Sequence, residues 1–116
     1  MAELRVPVRD AAGAAIAEVI IREVSGRHFV ERTTFINSFS QEVSATKASA
    51  IRELALANDW AALNDYDPEF LPWFCRACAQ NFSERQWRVF PRVDEDNWLD
   101  SYRGICPGGH ERMIAD

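Results

Sequence analysis

A chain of 116 residues has the length of one ordinary domain, and 47% apolar with 27% charged residues is the composition of a soluble globular protein. The formal charge is −5, concentrated between residues 42 and 74, and no segment is a basic block. That disfavours a nucleic-acid partner, because phosphate neutralisation supplies most of such affinity.

The first elements read as strands. Leu4, Val6 and Val8 alternate on one face, and Pro7 suits an edge strand. Asp10–Gly13 reads as a turn, and Ser25-Gly26 as the turn of a hairpin between residues 15–24 and 27–36. Residues 11–24 also fit a helix, with Ile16, Val19, Ile20 and Val24 on one stripe. The β-branched run 19–21 and the two flanking turns favour a strand. The stretch is therefore expected to form an antiparallel meander.

Residues 41–60, "QEVSATKASAIRELALANDW", are rich in helix formers, with Ala48, Ile51, Leu54 and Ala55 on one stripe. Ser40 or Ser44 can cap this helix, Asn58 can end it, and Asp59 can cap a short second one through Trp60 and Leu63. Asp67-Pro68 then opens a tight turn.

From Pro72 onward the chain changes character. It holds all three cysteines, three of the four tryptophans (Trp73, Trp87, Trp98) and no long amphipathic helix. Such a segment needs a staple other than an aliphatic core. Cys75-Arg-Ala-Cys78 has the spacing at which two thiolates of one turn reach a single ion, and Cys106-Pro-Gly-Gly-His110 adds a thiolate and an imidazole. Gly108 and Gly109 permit the backbone to curl around an ion. The expected ligands are thus Cys75, Cys78, Cys106 and His110, around one structural Zn²⁺. Residues 85–90 and 98–105 are suitable strands between the two knuckles. A redox pair is disfavoured, because Cys75 and Cys78 do not sit at a strand-to-helix junction of a βαβ unit. Two buried thiols remain the bland alternative.

These motifs resemble a zinc ribbon or its treble-clef relatives over the last third of the chain. They also resemble small uncharacterised bacterial proteins with C-x-x-C, then C-x-x-H-W, then C-P-x-G-H. On that resemblance Trp87 aligns with the tryptophan, while Ser83 and Gln86 stand where a cysteine and a histidine would be. The resemblance then implies a lost second metal site.

Other candidates carry less. His28 beside a turn is a surface or core-edge residue. Asp94, Glu95, Asp96 and Asp100 lack the glycine and glutamate of a calcium loop, since Leu99 and Ile105 occupy those positions. Trp87, Phe90, Trp98 and Tyr102 fit core packing better than a base-stacking platform. No nucleophile triad, phosphate loop or metalloprotease helix is present. No apolar run approaches the ~20 residues of a membrane span, and "MAELRVPVRD" lacks the pattern of a secretory signal. A cytoplasmic protein with reduced thiols and no membrane partner is expected. The expected class is α+β: an N-terminal antiparallel β-meander with a central helix (1–72) and a C-terminal zinc-ribbon-like module (73–116), packed as one unit. Its expected role is a protein-interaction adaptor. A nucleic-acid-binding regulator using Arg76, Arg85, Arg88, Arg92, Arg103 and Arg112 is the second reading, and an enzyme with supporting zinc the third.

Overall fold

The computed structural model describes residues 2–34 and 37–115. Four strands open the chain: β1 (Ala2–Arg9), β2 (Ala15–Val24), β3 (Arg27–Thr34) and β4 (Ser38–Val43). They form one antiparallel sheet in the order β1-β2-β3-β4. Residues 11–24 thus resolve as turn and strand, while Phe35 and Ile36, the end of the expected strand 27–36, lie outside the described residues. Asp10 Oδ1 accepts the N–H groups of Ala12 and Ala14, which closes the first turn. Ser25 and Gly26 both take positive φ, 51° and 77°, the conformation that matches a two-residue turn to strand twist.

Register decides which side chains meet. Val6 pairs Val19, Val19 pairs Arg32, and Arg32 pairs Phe39, so these residues form one row across the sheet. Leu4, Ile21 and Val30 form another. Both rows face α1 (Ala45–Leu56) and α2 (Trp60–Tyr66). Ser44 caps α1 by accepting from Lys47 N–H at 3.1 Å, and Asp59 caps α2 through Ala62 N–H. Ala48, Ile51 and Ala55 of α1, Leu63 of α2, and Phe70, Leu71 and Phe74 complete one core with Val8, Val19 and Val30. Each of the valine, isoleucine, leucine and phenylalanine side chains is worth about 1.5–3 kcal/mol when fully buried. On the sheet's other face, Arg5 and Arg22 bridge Glu3, Glu18 and Glu31 around the buried Ile20.

The expected α+β class is overturned. Of the described residues 48% lie in strands and 17% in helices, in three antiparallel sheets with two short helices. The single meander, central helix and ribbon do not describe that arrangement. Gln41–Val43, read as the start of a helix, belong to β4, because the open edge of β3 offers them a ladder and Ser44 caps the helix only afterwards. The last third divides into two sheets. One is a small hairpin of β5 (Phe74–Cys75) and β6 (Gln80–Asn81); the other is β7 (Arg88–Val93), β8 (Leu99–Ile105) and β9 (Glu111–Ala115), in that order.

Candidate metal centre

Each pair of candidate ligands sits on the turn of a hairpin. Cys75 ends β5 and Cys78 lies in the turn to β6, where Ala79 takes a φ of 54°. Cys106 follows β8, and its N–H bonds the His110 carbonyl at 2.9 Å, closing the turn into β9. Gly109, at φ 85°, makes that reversal possible. The two turns face one another.

The four donor atoms all lie within 4.8 Å of one another. Cys78 Sγ is 3.8 Å from Cys106 Sγ and 3.3 Å from His110 Nδ1, which is 3.5 Å from Cys106 Sγ. A tetrahedron with metal–sulfur bonds of ~2.3 Å and metal–nitrogen bonds of ~2.0 Å has edges of about 3.8 Å and 3.5 Å. The spacings match, and a disulfide of ~2.0 Å does not. The cradle is also fitted. A Cβ on Gly108 would stand 2.9 Å from Cys78 Sγ and 3.2 Å from His110 Nδ1. The N–H of Cys78 points at Cys75 Sγ and that of His110 at Cys106 Sγ, both at 3.4 Å, so backbone dipoles favour thiolates here.

The thiols differ in their ease of ionisation. Burial alone would raise Cys106, but the His110 N–H and ring, Cys75 and the Gly108 N–H outweigh it and bring the thiol to about 6. Cys78 is pushed up to about 11, by burial and then by Cys75 and Cys106 beside it. One thiolate forms readily while another is resisted by its neighbours. A cation among the donors removes that resistance.

Packing behind the donors is aromatic. Cys75, Trp87 and Cys106 are buried together, with Trp73, Cys78, Phe82 and Ile114 against them. Trp87 Nε1 donates to the Trp73 carbonyl at 3.1 Å. Ser83 and Gln86 close a turn of their own: Ser83 N–H donates to Gln86 Oε1 at 2.8 Å, and Gln86 N–H to the Ser83 carbonyl. His28 is half-buried on β3, paired with Val43. Asp94 Oδ1 accepts the N–H groups of Asp96 and Trp98, which makes the acidic loop a hairpin turn. Among the described residues the Cys₃His group is the only cluster of three or more such donors.

Two arginines matter more than their sequence positions suggest. Arg112 Nη1 donates to Asn64 Oδ1 and to the carbonyls of Leu71 and Phe74, and Nη2 to that of Pro68. It therefore ties β9 to the segment that leads into Cys75. Arg32 Nη1 reaches the carbonyls of Phe70 (2.9 Å) and Glu69 (3.3 Å) from the opposite sheet. Strand alternation inward of Val30 is the signal that would have found Arg32. Arg112, two residues beyond a candidate ligand, had none.

Fold and site together define a mostly β protein carrying a Cys₃His group compatible with a metal ion. The chain belongs to the family described as Domain of unknown function (DUF8328), which matches residues 10–116. That match is not to a zinc-ribbon family, so the ribbon resemblance stays with the two knuckles. No curated protein and no solved structure matches the chain. No helix among the described residues is long and apolar enough to cross a membrane.

Proposed function

We propose that Cys75, Cys78, Cys106 and His110 hold one structural Zn²⁺, and that the protein acts as an interaction module. The 3.3–3.8 Å spacing of the Cys78, Cys106 and His110 donors, with Cys75 Sγ within 4.8 Å of them, carries the first part. Three thiolates and an imidazole suit zinc, and four protein ligands leave no position for a reactive water. The role is therefore structural rather than hydrolytic. A cytoplasmic, reducing setting and one packed unit of residues 1–72 and 73–116 belong to the same reading. The bonds from Arg112 across that boundary support the packing.

Surface character supports a protein partner. Val93 pairs Leu99 and Pro91 pairs Tyr102, which puts them on one face of the β7–β8 hairpin. Val93, Leu99, Tyr102 and Val89 are all exposed, and Trp98 at the tip is 72% exposed. Contiguous exposed apolar surface of this kind marks contact sites. Of the arginines a nucleic-acid reading would use, Arg76 pairs with Asp65, Arg103 with Glu111, and Arg112 is spent on carbonyls.

Metal analysis with X-ray absorption of the purified chain tests the site. One zinc per chain is expected, with three sulfurs near ~2.3 Å and one nitrogen near ~2.0 Å. A light-atom ligand without the outer-shell scattering of an imidazole ring would refute the closed centre. A pull-down from the native host, with Trp98→Ser as comparison, tests the module: partners kept by the native chain are expected to be lost.

A further inference from the structure

A cleft of about 770 Å³ runs between the edge strands β4 and β9, with Arg32, Phe39, Pro72, Trp73, Arg112 and Ile114 among its lining. That size lies within the ~300–1,000 Å³ of small-molecule sites, which are apolar with a few placed polar groups. Arg32 is the polar group out of keeping. Its row on the core face of the sheet otherwise holds Val6, Val19 and Phe39. The residue is only 6% exposed, yet its Nε–H has no acceptor among the described residues. No carboxylate among them forms an ion pair with it, and its Cζ lies 5.3 Å from the Phe39 ring centre. The Glu84 carboxylate, which accepts from Thr34 Oγ1 at 3.0 Å, also attracts Arg32 electrostatically. A buried donor without a partner is costly, and a guanidinium with a spare N–H edge is shaped for the two oxygens of a carboxylate.

We propose that this cleft is a binding site for a small organic acid, its carboxylate held by Arg32 and its apolar body against Phe39, Pro72 and Trp73. Arg32, Arg76 and Arg112 on the lining outnumber Glu69 and Glu111, which favours an anion over an amine. The apolar walls argue against free inorganic phosphate. The site goes beyond the interaction reading and does not depend on it.

Trp73 and Trp87 both line the cleft, so tryptophan emission reports on it. The full-length chain as purified is titrated with phenylpropionate, indoleacetate and hexanoate, and with their primary amides, by calorimetry and, for phenylpropionate and hexanoate, by emission. Saturable one-to-one binding of at least one acid is expected, with its amide about tenfold weaker or more, as the loss of a charge-assisted bond implies. Arg32→Gln should bring the acid down to its amide, while Arg52→Gln, on α1, should change neither. If Arg32→Gln does not fold, the acid-to-amide ratio of the native chain decides. Equal binding of acid and amide, or no binding of any acid, would overturn the assignment.

Discussion

The two ends of this chain reach stability by different means. The N-terminal sheet, its two helices and the segment that follows them share twelve buried core residues, from Val6 to Phe74, all aliphatic or aromatic. The last third has Cys75, Trp87 and Cys106 as its buried centre, and two of those three are thiols. Its outer hairpin leaves Val93, Trp98 and Leu99 to solvent. A small region that cannot enclose enough apolar area needs a cross-link, and a structural metal supplies one when thiols stay reduced. The difference predicts that the two regions fail under different insults.

If the proposed Zn²⁺ sits among Cys75, Cys78, Cys106 and His110, its removal should separate the two regions most sharply. Apparent binding free energies of structural zinc run to about 10–16 kcal/mol in small fingers, and that energy is folding energy where the site does not pre-exist. A strong chelator, or Cys106→Ser, should abolish hydrogen-exchange protection in 74–115 while β2, β3 and α1 keep theirs. His28→Ala should have no such effect. Uniform protection in metal-free protein would mean that Trp87 and its neighbours suffice without the ion.

The converse insult belongs to the other core. Ile51 is fully buried between helix and sheet, and Ile51→Ala should cost about 2–5 kcal/mol by transfer loss and cavity formation. Urea denaturation of the zinc-loaded protein should show that loss, with zinc stoichiometry still one. If the C-terminal third instead released its metal at the same denaturant concentration, the carbonyl clamp of Arg112 would have coupled the regions into a single cooperative unit.

The same contrast explains what could be read without coordinates. The turns at Asp10–Gly13 and Ser25-Gly26, the caps at Ser44 and Asp59, and the two knuckles Cys75–Cys78 and Cys106–His110 each rest on short-range chemistry, and the shared donor chemistry of the knuckles points to their meeting across the intervening chain. Residue type and spacing suffice for each. The α+β class was misjudged because several strands carry no such signal. β4 is almost wholly exposed, so Ser38–Val43 shows no inward alternation, and only its ladder to β3 makes it a strand. β5 and β6 have two residues each, too few for alternation to register. Arg32 was missed for a further reason: a lone arginine reads as surface, although its place two residues from Val30 already sets it on the inward face, where it pairs with Val19 and Phe39.

The smallest expected effect discriminates most finely between the two kinds of stabilisation. Gly104 lies on β8 beneath the aromatic cluster, where an added Cβ would stand 2.9 Å from Ile114 Cγ1 and 3.2 Å from the ring of Trp87. The first neighbour is a half-buried side chain that can turn aside; the second is a buried ring held by its bond to the Trp73 carbonyl. Overpacking of this kind costs about 1–3 kcal/mol, and the lower chain entropy of alanine offsets roughly 0.4–1 kcal/mol. A net loss of about 1 kcal/mol remains. Because Trp87 packs with Cys75 and Cys106, the loss should fall on the metal-bound fold of the last third. Competition with a chromophoric chelator should then show zinc held about fivefold more weakly in Gly104→Ala, while the urea midpoint of the N-terminal core stays unchanged. Unaltered zinc affinity would place Ile114 as the only yielding neighbour and would separate the aromatic packing from the metal site it surrounds.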